Sequence, residues 1–162
     1  MIIIVWGVSG CGKSTVGAML AEKINGVFFD ADDYHPQNNI QKMSQGIPLD
    51  DQDRKPWLER LVLLLKDSQQ TEGHVVLACS ALKAKYRAVL NVDSEAVRFV
   101  HLRGDFDLIA SRLASRKHEF MNNSLLQSQF DTLEEDPGSL CVEVDLPPNG
   151  ICCKVKAGLG VK

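Results

Sequence analysis

Gly7-Val8-Ser9-Gly10-Cys11-Gly12-Lys13-Ser14 decides the fold of this chain. The stretch fills the pattern G-x-x-x-x-G-K-[ST], follows the apolar run Ile2-Ile3-Ile4-Val5-Trp6 and precedes an amphipathic segment. That is the strand-loop-helix setting in which such a loop holds phosphate. Its glycines let the backbone turn N–H groups inward around an anion, and the following helix adds free N–H groups and the positive end of its dipole. Gly7, Val8, Ser9, Gly10, Cys11, Gly12, Lys13, Ser14 and Thr15 are therefore the candidate nucleotide-binding set. Lys13 is expected to reach the β- and γ-phosphates and the Ser14 hydroxyl to ligate Mg²⁺.

The chain has 162 residues, 44% of them apolar and 24% charged. Such a length buries about two-thirds of its unfolded surface in one core without staples. A net charge of -3 gives no general attraction to nucleic acid or to an anionic membrane, so affinity for an acidic substrate must be local. The five cysteines, Cys11, Cys79, Cys141, Cys152 and Cys153, are odd in number and lack C-x-x-C spacing. A disulfide framework or zinc site is not expected, and the reducing cytoplasm fits better. The first apolar run is too short for a signal sequence and lacks a basic lead, so it reads as a buried first strand. Cys11, at the start of an anion-attracting helix, is expected to be an oxidant-sensitive thiol.

Outward from the loop, Val16, Met19, Leu20, Lys23 and Ile24 recur at helical spacing, predicting a helix from about Ser14 to Asn25 closed by Gly26. Val27-Phe28-Phe29 predicts a second strand, Asn38 to Gln45 a brief helix, and Pro56 the first turn of a longer one with Leu58, Leu61, Val62 and Leu65 inward. Buried strands are expected at His74 to Cys79 and Val97 to Leu102, a helix near Lys83 to Leu90 between them, and a last strand at Leu140 to Val144. Asp105 reads as the N-cap of a helix from Phe106 to Arg116. Leu125, Leu126 and Phe130 predict another helical turn. Strands alternating with helices imply a parallel sheet flanked by helices, an α/β architecture.

Ligands in such sheets bind at the C-terminal ends of the strands. Asp30 and Asp32 emerge there, one expected to face Mg²⁺ and the other a substrate hydroxyl, with Asp32 as the orienting residue or base. The bland alternative is that both acids cap the next turn, which is the expected role of Asp33. His35, held extended by Pro36, is expected to point out of the turn, either as a site residue or as a surface imidazole with no role. Arg54 is a candidate clamp on a substrate carboxylate, or else an ion-pair partner of Asp50, Asp51 or Asp53. Lys83 and Arg87 are four apart, so on one helix face they are expected to bind one anion, or else to form a solvated basic face. Arg112 and Arg116 have the same spacing and lead into the polar stretch of residues 117–124, which suits a lid. They are expected to close over phosphates, with Arg116 serving transfer, or else to pair with surface Asp or Glu.

With these segments, and with Tyr34-His35-Pro36, Asn39, Lys42-Met43, Asp53-Arg54, Pro56-Trp57, Cys79 to Lys83, Tyr86-Arg87, Gly104-Asp105-Phe106 and Ser128 to Glu134, the chain resembles the gluconokinase family of small P-loop kinases. The resemblance implies one P-loop kinase domain over residues 1–162 with a nucleoside-monophosphate-kinase-like sheet. It also implies transfer of the ATP γ-phosphate to the 6-hydroxyl of D-gluconate, with Asp30 in the Mg²⁺ shell, Asp32 at the acceptor, and His35, Arg54, Lys83 and Arg87 lining the sugar-acid site. Members commonly pair, so a homodimer is implied as well. Three features depart from the family pattern: Cys11 replaces a serine, Arg116-Lys117-His118-Glu119-Phe120 shifts the lid histidine by one position, and residues 147–162 show no sustained apolar stripe. Alternatives are another small-molecule kinase of shikimate-kinase type and an impaired relative that only binds nucleotide. A guanine-nucleotide switch is set aside, because no N-K-x-D or D-x-x-G accompanies Ser80-Ala81-Leu82.

Overall fold

A computed structural model describes residues 1–116 and 123–162. Five strands form one parallel sheet: β1 (Ile2–Trp6), β2 (Val27–Asp30), β3 (Val75–Cys79), β4 (Val97–Arg103) and β5 (Leu140–Glu143), in the order β2-β3-β1-β4-β5. Every residue of β1 is buried, as a strand covered on both faces requires. Its alternation splits the core. Ile3 and Val5 join the cluster under α1 (Lys13–Lys23), α5 (Phe106–Ser115), α6 (Asn123–Thr132) and α7 (Pro148–Leu159). Ile2, Ile4 and Trp6 join the opposite cluster, under α3 (Asp51–Gln69) and α4 (Ala84–Leu90). A short α2 (Gln37–Ser44) lies beyond β2. Burial of side chains such as Leu20, Leu61 and Leu65, each 0% exposed, contributes about 1.5–3 kcal/mol apiece.

The chain passes from β1 to β2 on one side and later from β3 to β4 across β1, so the order of winding reverses at β1. The crevice at such a reversal is where open α/β sheets bind ligands. The phosphate loop leaves β1 at this point, and Gly12, at φ 97°, turns it into α1 without the penalty a side chain would bring.

Several boundaries differ from expectation for local reasons. Pro56 lies inside α3 rather than in its first turn, because Asp50 starts the helix earlier through a capping box with Asp53. Asp30, not Asp33, caps the 3-10 turn Ala31–Tyr34, accepting a hydrogen bond from the Asp32 N–H. Asn123 and Ser124, expected in the lid, begin α6; residues 117–122, including the expected lid histidine, lie outside the described residues.

The C-terminal expectation is overturned. Residues 148–159 form α7, whose Ile151, Cys152 and Val155 are buried against α1 and β5, and the Cys152 thiol donates to the Val16 carbonyl at 3.6 Å. The glycines that obscured it are built in. A Cβ on Gly158 would stand 2.6 Å from Leu140, and Gly160, at φ 67°, closes the helix.

Candidate functional site

The apolar run of β1 stops at Trp6 and the chain turns into a loop whose amides have two destinations. Gly7 N–H donates to the Ser80 carbonyl at 3.2 Å and Cys11 N–H to the Val8 carbonyl at 3.3 Å, so these residues shape the loop. Ser9, Gly10 and the segment 12–15 face a cavity of about 470 Å³. Lys13 folds back across the loop, its Nζ 2.9 Å from the Val8 carbonyl. Cys11 is fully buried, which overturns the expectation of an accessible, oxidant-sensitive thiol.

Neighbouring strand ends supply the acids. Ser14 Oγ donates to Asp30 Oδ2 at 2.5 Å, so loop and second strand meet through two hard oxygen donors. Asp32 follows on the 3-10 turn with its side chain 79% exposed to the cleft. Desolvation by the cleft walls raises its pKa, Lys13 opposes this, and Asp30 and Asp33 add to it. Water reaches this mostly exposed carboxylate, so solvent screening weakens the upward push. Cys79 also lines the cavity, its thiol pushed up to about 12 chiefly by burial, which keeps it protonated and inert.

His35 does not point out of the turn. It is buried and stacked on Trp57 at 4.4 Å between centroids, while Trp57 Nε1 donates to the Ala31 carbonyl at 2.7 Å. Burial, then the positive charge of Arg54, lowers its pKa to about 4. Asn39 Nδ2 lies 3.2 Å from His35 Nδ1 and donates to the Asp53 carbonyl at 2.8 Å. An amide NH₂ facing Nδ1 makes that nitrogen an acceptor and leaves the ring proton on Nε2, which lies 3.9 Å from Asp32 Oδ1.

Arg54 lines the same cavity without a carboxylate partner among the described residues. The three nearby aspartates are otherwise engaged: Asp50 caps α3, Asp53 pairs with Lys42 at 2.8 Å, and Asp51 takes Lys83, Lys85 and the Tyr86 hydroxyl. Arg116 completes the cationic lining as the last residue described before position 117.

Three expected site residues face elsewhere. Lys83 is the extended N-cap of α4, so it does not share a helix face with Arg87, and its Nζ meets Asp51 at 3.2 Å. Arg87 is buried, donates to the carbonyls of Ala81, Leu82 and Glu134, and lies 4.1 Å above the Trp6 ring; it ties the segment after β3 to the segment after α6. Arg112 donates to the Val144 carbonyl, because the face of α5 turned to the cavity carries Leu113, and Arg116 leaves the helix in extended conformation.

Gln129 enters the site unforeseen. From α6 its Oε1 accepts from the Ser9 N–H at 2.7 Å and its Nε2 donates to Ser9 Oγ at 3.1 Å. A glutamine in the run Ser128 to Glu134 carries no signal of a partner 120 positions away.

The model of the shikimate kinase family matches residues 9–141. A probable gluconokinase of Xenopus tropicalis is 49% identical over 149 residues, 83% of this chain and 78% of that protein. The thermoresistant gluconokinase of Escherichia coli strain K12 is 43% identical over 155 residues, 93% of this chain and 88% of that protein. The crystal structure of a gluconokinase from Sinorhizobium meliloti 1021 superposes with a TM-score of 0.86 at 41% identity, over 98% of this chain and 90% of the other. A loop after β1, acids at the end of β2 and relatives matched along most of their length lead to one assignment: this chain belongs to the gluconokinase family of small P-loop kinases.

Proposed function

We propose that this protein transfers the γ-phosphoryl group of ATP to the 6-hydroxyl of D-gluconate, forming 6-phospho-D-gluconate and ADP. The observation carrying it is the meeting, in one cavity, of the phosphate loop, two acids and an arginine left without a carboxylate partner. The loop amides and Lys13 hold the triphosphate, and Arg116 adds positive charge where transfer concentrates negative charge. Asp32 orients the acceptor hydroxyl and takes its proton as the oxygen–phosphorus bond forms and the bond to the ADP oxygen breaks. His35, neutral near pH 7, offers its Nε2–H to the acceptor beside Asp32. Arg54 meets the carboxylate of the sugar acid.

Ser14 and Asp30 suit Mg²⁺ as hard oxygen donors already in contact. Among the described residues no group of three His, Cys, Asp or Glu forms a cage for a metal, and Mg²⁺ ordinarily takes one or two protein ligands beside water and phosphate. The ion supplies charge neutralisation on the phosphates. One domain acting from the cytoplasm, as a homodimer, belongs to the same proposal. Among the described residues no helix is long and apolar enough to cross a membrane.

Coupled measurement of ADP release with Mg²⁺·ATP and a panel of gluconate, shikimate and other sugar acids tests the proposal. Turnover with gluconate is expected. Turnover confined to shikimate, or absent with every acid, rejects it.

A further inference from the structure

Arg54 has two ends, and the protein occupies one. Its Nη1 donates to the Leu49 carbonyl at 2.6 Å and to the Tyr86 hydroxyl at 3.3 Å. Nε and Nη2 have no partner among the described residues, and that edge of a guanidinium is one that meets a carboxylate with two parallel hydrogen bonds.

What fixes Nη1 is a relay from two helices. The Tyr86 hydroxyl donates to Asp51 Oδ1. A phenol has one proton, so giving it to Asp51 leaves only lone pairs for Arg54, and the order Arg54 to Tyr86 to Asp51 has one direction. Asp51 is held in turn by Lys83 and Lys85. The Tyr86 ring is buried on α4, with Arg54 Cζ 5.4 Å, Lys83 Nζ 5.7 Å and Lys85 Nζ 5.8 Å from its centroid. The cations attract the face of the ring while Asp51 fixes its hydroxyl. Lys83 thus finds its place behind the site, securing Asp51.

We infer that Tyr86, oriented by Asp51, is the positioning residue that locks Arg54 with its Nε–Nη2 edge free, and so sets the preference for an acceptor bearing a carboxylate. The inference rests on the proposed role of Arg54 toward the gluconate carboxylate. It assigns to the α3–α4 contact a share in substrate recognition by residues that need not touch substrate.

Tyr86→Phe removes one oxygen and keeps the ring. With the hydroxyl gone, Nη1 retains only the Leu49 carbonyl. The KM for gluconate is expected to rise about tenfold, as for loss of one hydrogen bond to a charged group, while the KM for ATP stays within about twofold. Asp51→Asn is expected to move the gluconate KM in the same direction by less. Because Tyr86 acts through Arg54, Tyr86→Phe in an Arg54→Ala background is expected to add no more than about twofold. KM does not depend on the fraction of enzyme folded, so partial loss of folded protein does not obscure these values. If Arg54→Ala raises the gluconate KM but Tyr86→Phe leaves it unchanged, or raises both KM values equally, the positioning role is overturned and the proposed function stands. If Arg54→Ala leaves the gluconate KM unchanged, the carboxylate role of Arg54 falls, and the inference with it.

Discussion

Lowering the pH from 7 to 5 should destabilise this protein through one buried ring. In the folded state the pKa of His35 is about 4, pushed down by burial and then by Arg54, against an ordinary value of 6.5. Asp32 lies 3.9 Å away and attracts the opposite shift, but at 79% exposure its charge is screened by water. As pH falls through 6.5 the unfolded chain takes up a proton that the folded protein refuses. Stability is therefore lost as pH falls from about 6.5 toward 4 and changes no further below the folded pKa. Between pH 7 and 5 this one group costs about 2 kcal/mol. For a chain of this size that lowers the melting midpoint by about 4–8 °C. The assay is thermal unfolding across pH 5–8 for the natural protein and His35→Gln. Groups such as His101, whose pKa burial also lowers, contribute alike to both proteins, so the difference between the two pH profiles isolates His35. The variant should show the shallower loss, and parallel profiles would refute the reasoning.

Other perturbations probe the transfer site and the thiols. Lys13→Ala should reduce kcat by roughly 10²–10³-fold, checked in the coupled assay with saturating ATP. Asp32→Asn should lower kcat by about 10²–10⁴-fold with little change in nucleotide affinity measured by calorimetry; equal loss of ATP affinity would move Asp32 to the metal. Of the five thiols, exposed Cys141 and Cys153 should react rapidly with an aromatic disulfide reagent, while buried Cys11, Cys79 and Cys152 react only on unfolding. Mass mapping of the labelled peptides distinguishes them.

The strands and the loop were legible because each is a local pattern: Ile2 to Trp6 is apolar throughout, and the three glycines and Lys13 stand at fixed spacing. The acids at the end of β2 were legible for the same reason, since a strand carries the residues beyond its last pair to the sheet edge. Sequence displays charge but not the partner that neutralises it. Arg87 and Arg54 look alike in the chain, yet one is buried against carbonyls and Trp6 while the other keeps a free edge at the cavity. The α7 helix was obscured because helix propensity counts glycine as a defect, whereas Gly158 is required by Leu140 beside it. The contacts of Gln129 and Tyr86 bridge 120 and 32 positions, distances at which spacing carries no information.

The charges around α3 are arranged so that one cation, Arg54, keeps a free edge. A surface crowded with Asp50, Asp51 and Asp53 beside Arg54 would ordinarily collapse into an ion pair and neutralise the guanidinium. Here each acid has an assignment that turns it away: a helix N-terminus for Asp50, Lys42 for Asp53, and two lysines with a tyrosine for Asp51. Lys42 of α2 and Lys85 and Tyr86 of α4 thereby tie down the N-terminal end of α3. Asp30 and Asp32 line the same cavity with Lys13 and Ser14. The cavity thus brings an arginine with a free guanidinium edge together with two acids beside the phosphate loop. Under the proposed function, a linear molecule with an acid at one end and an alcohol at the other sets its carboxylate on Arg54 and its hydroxyl beside Asp32, next to the phosphate loop.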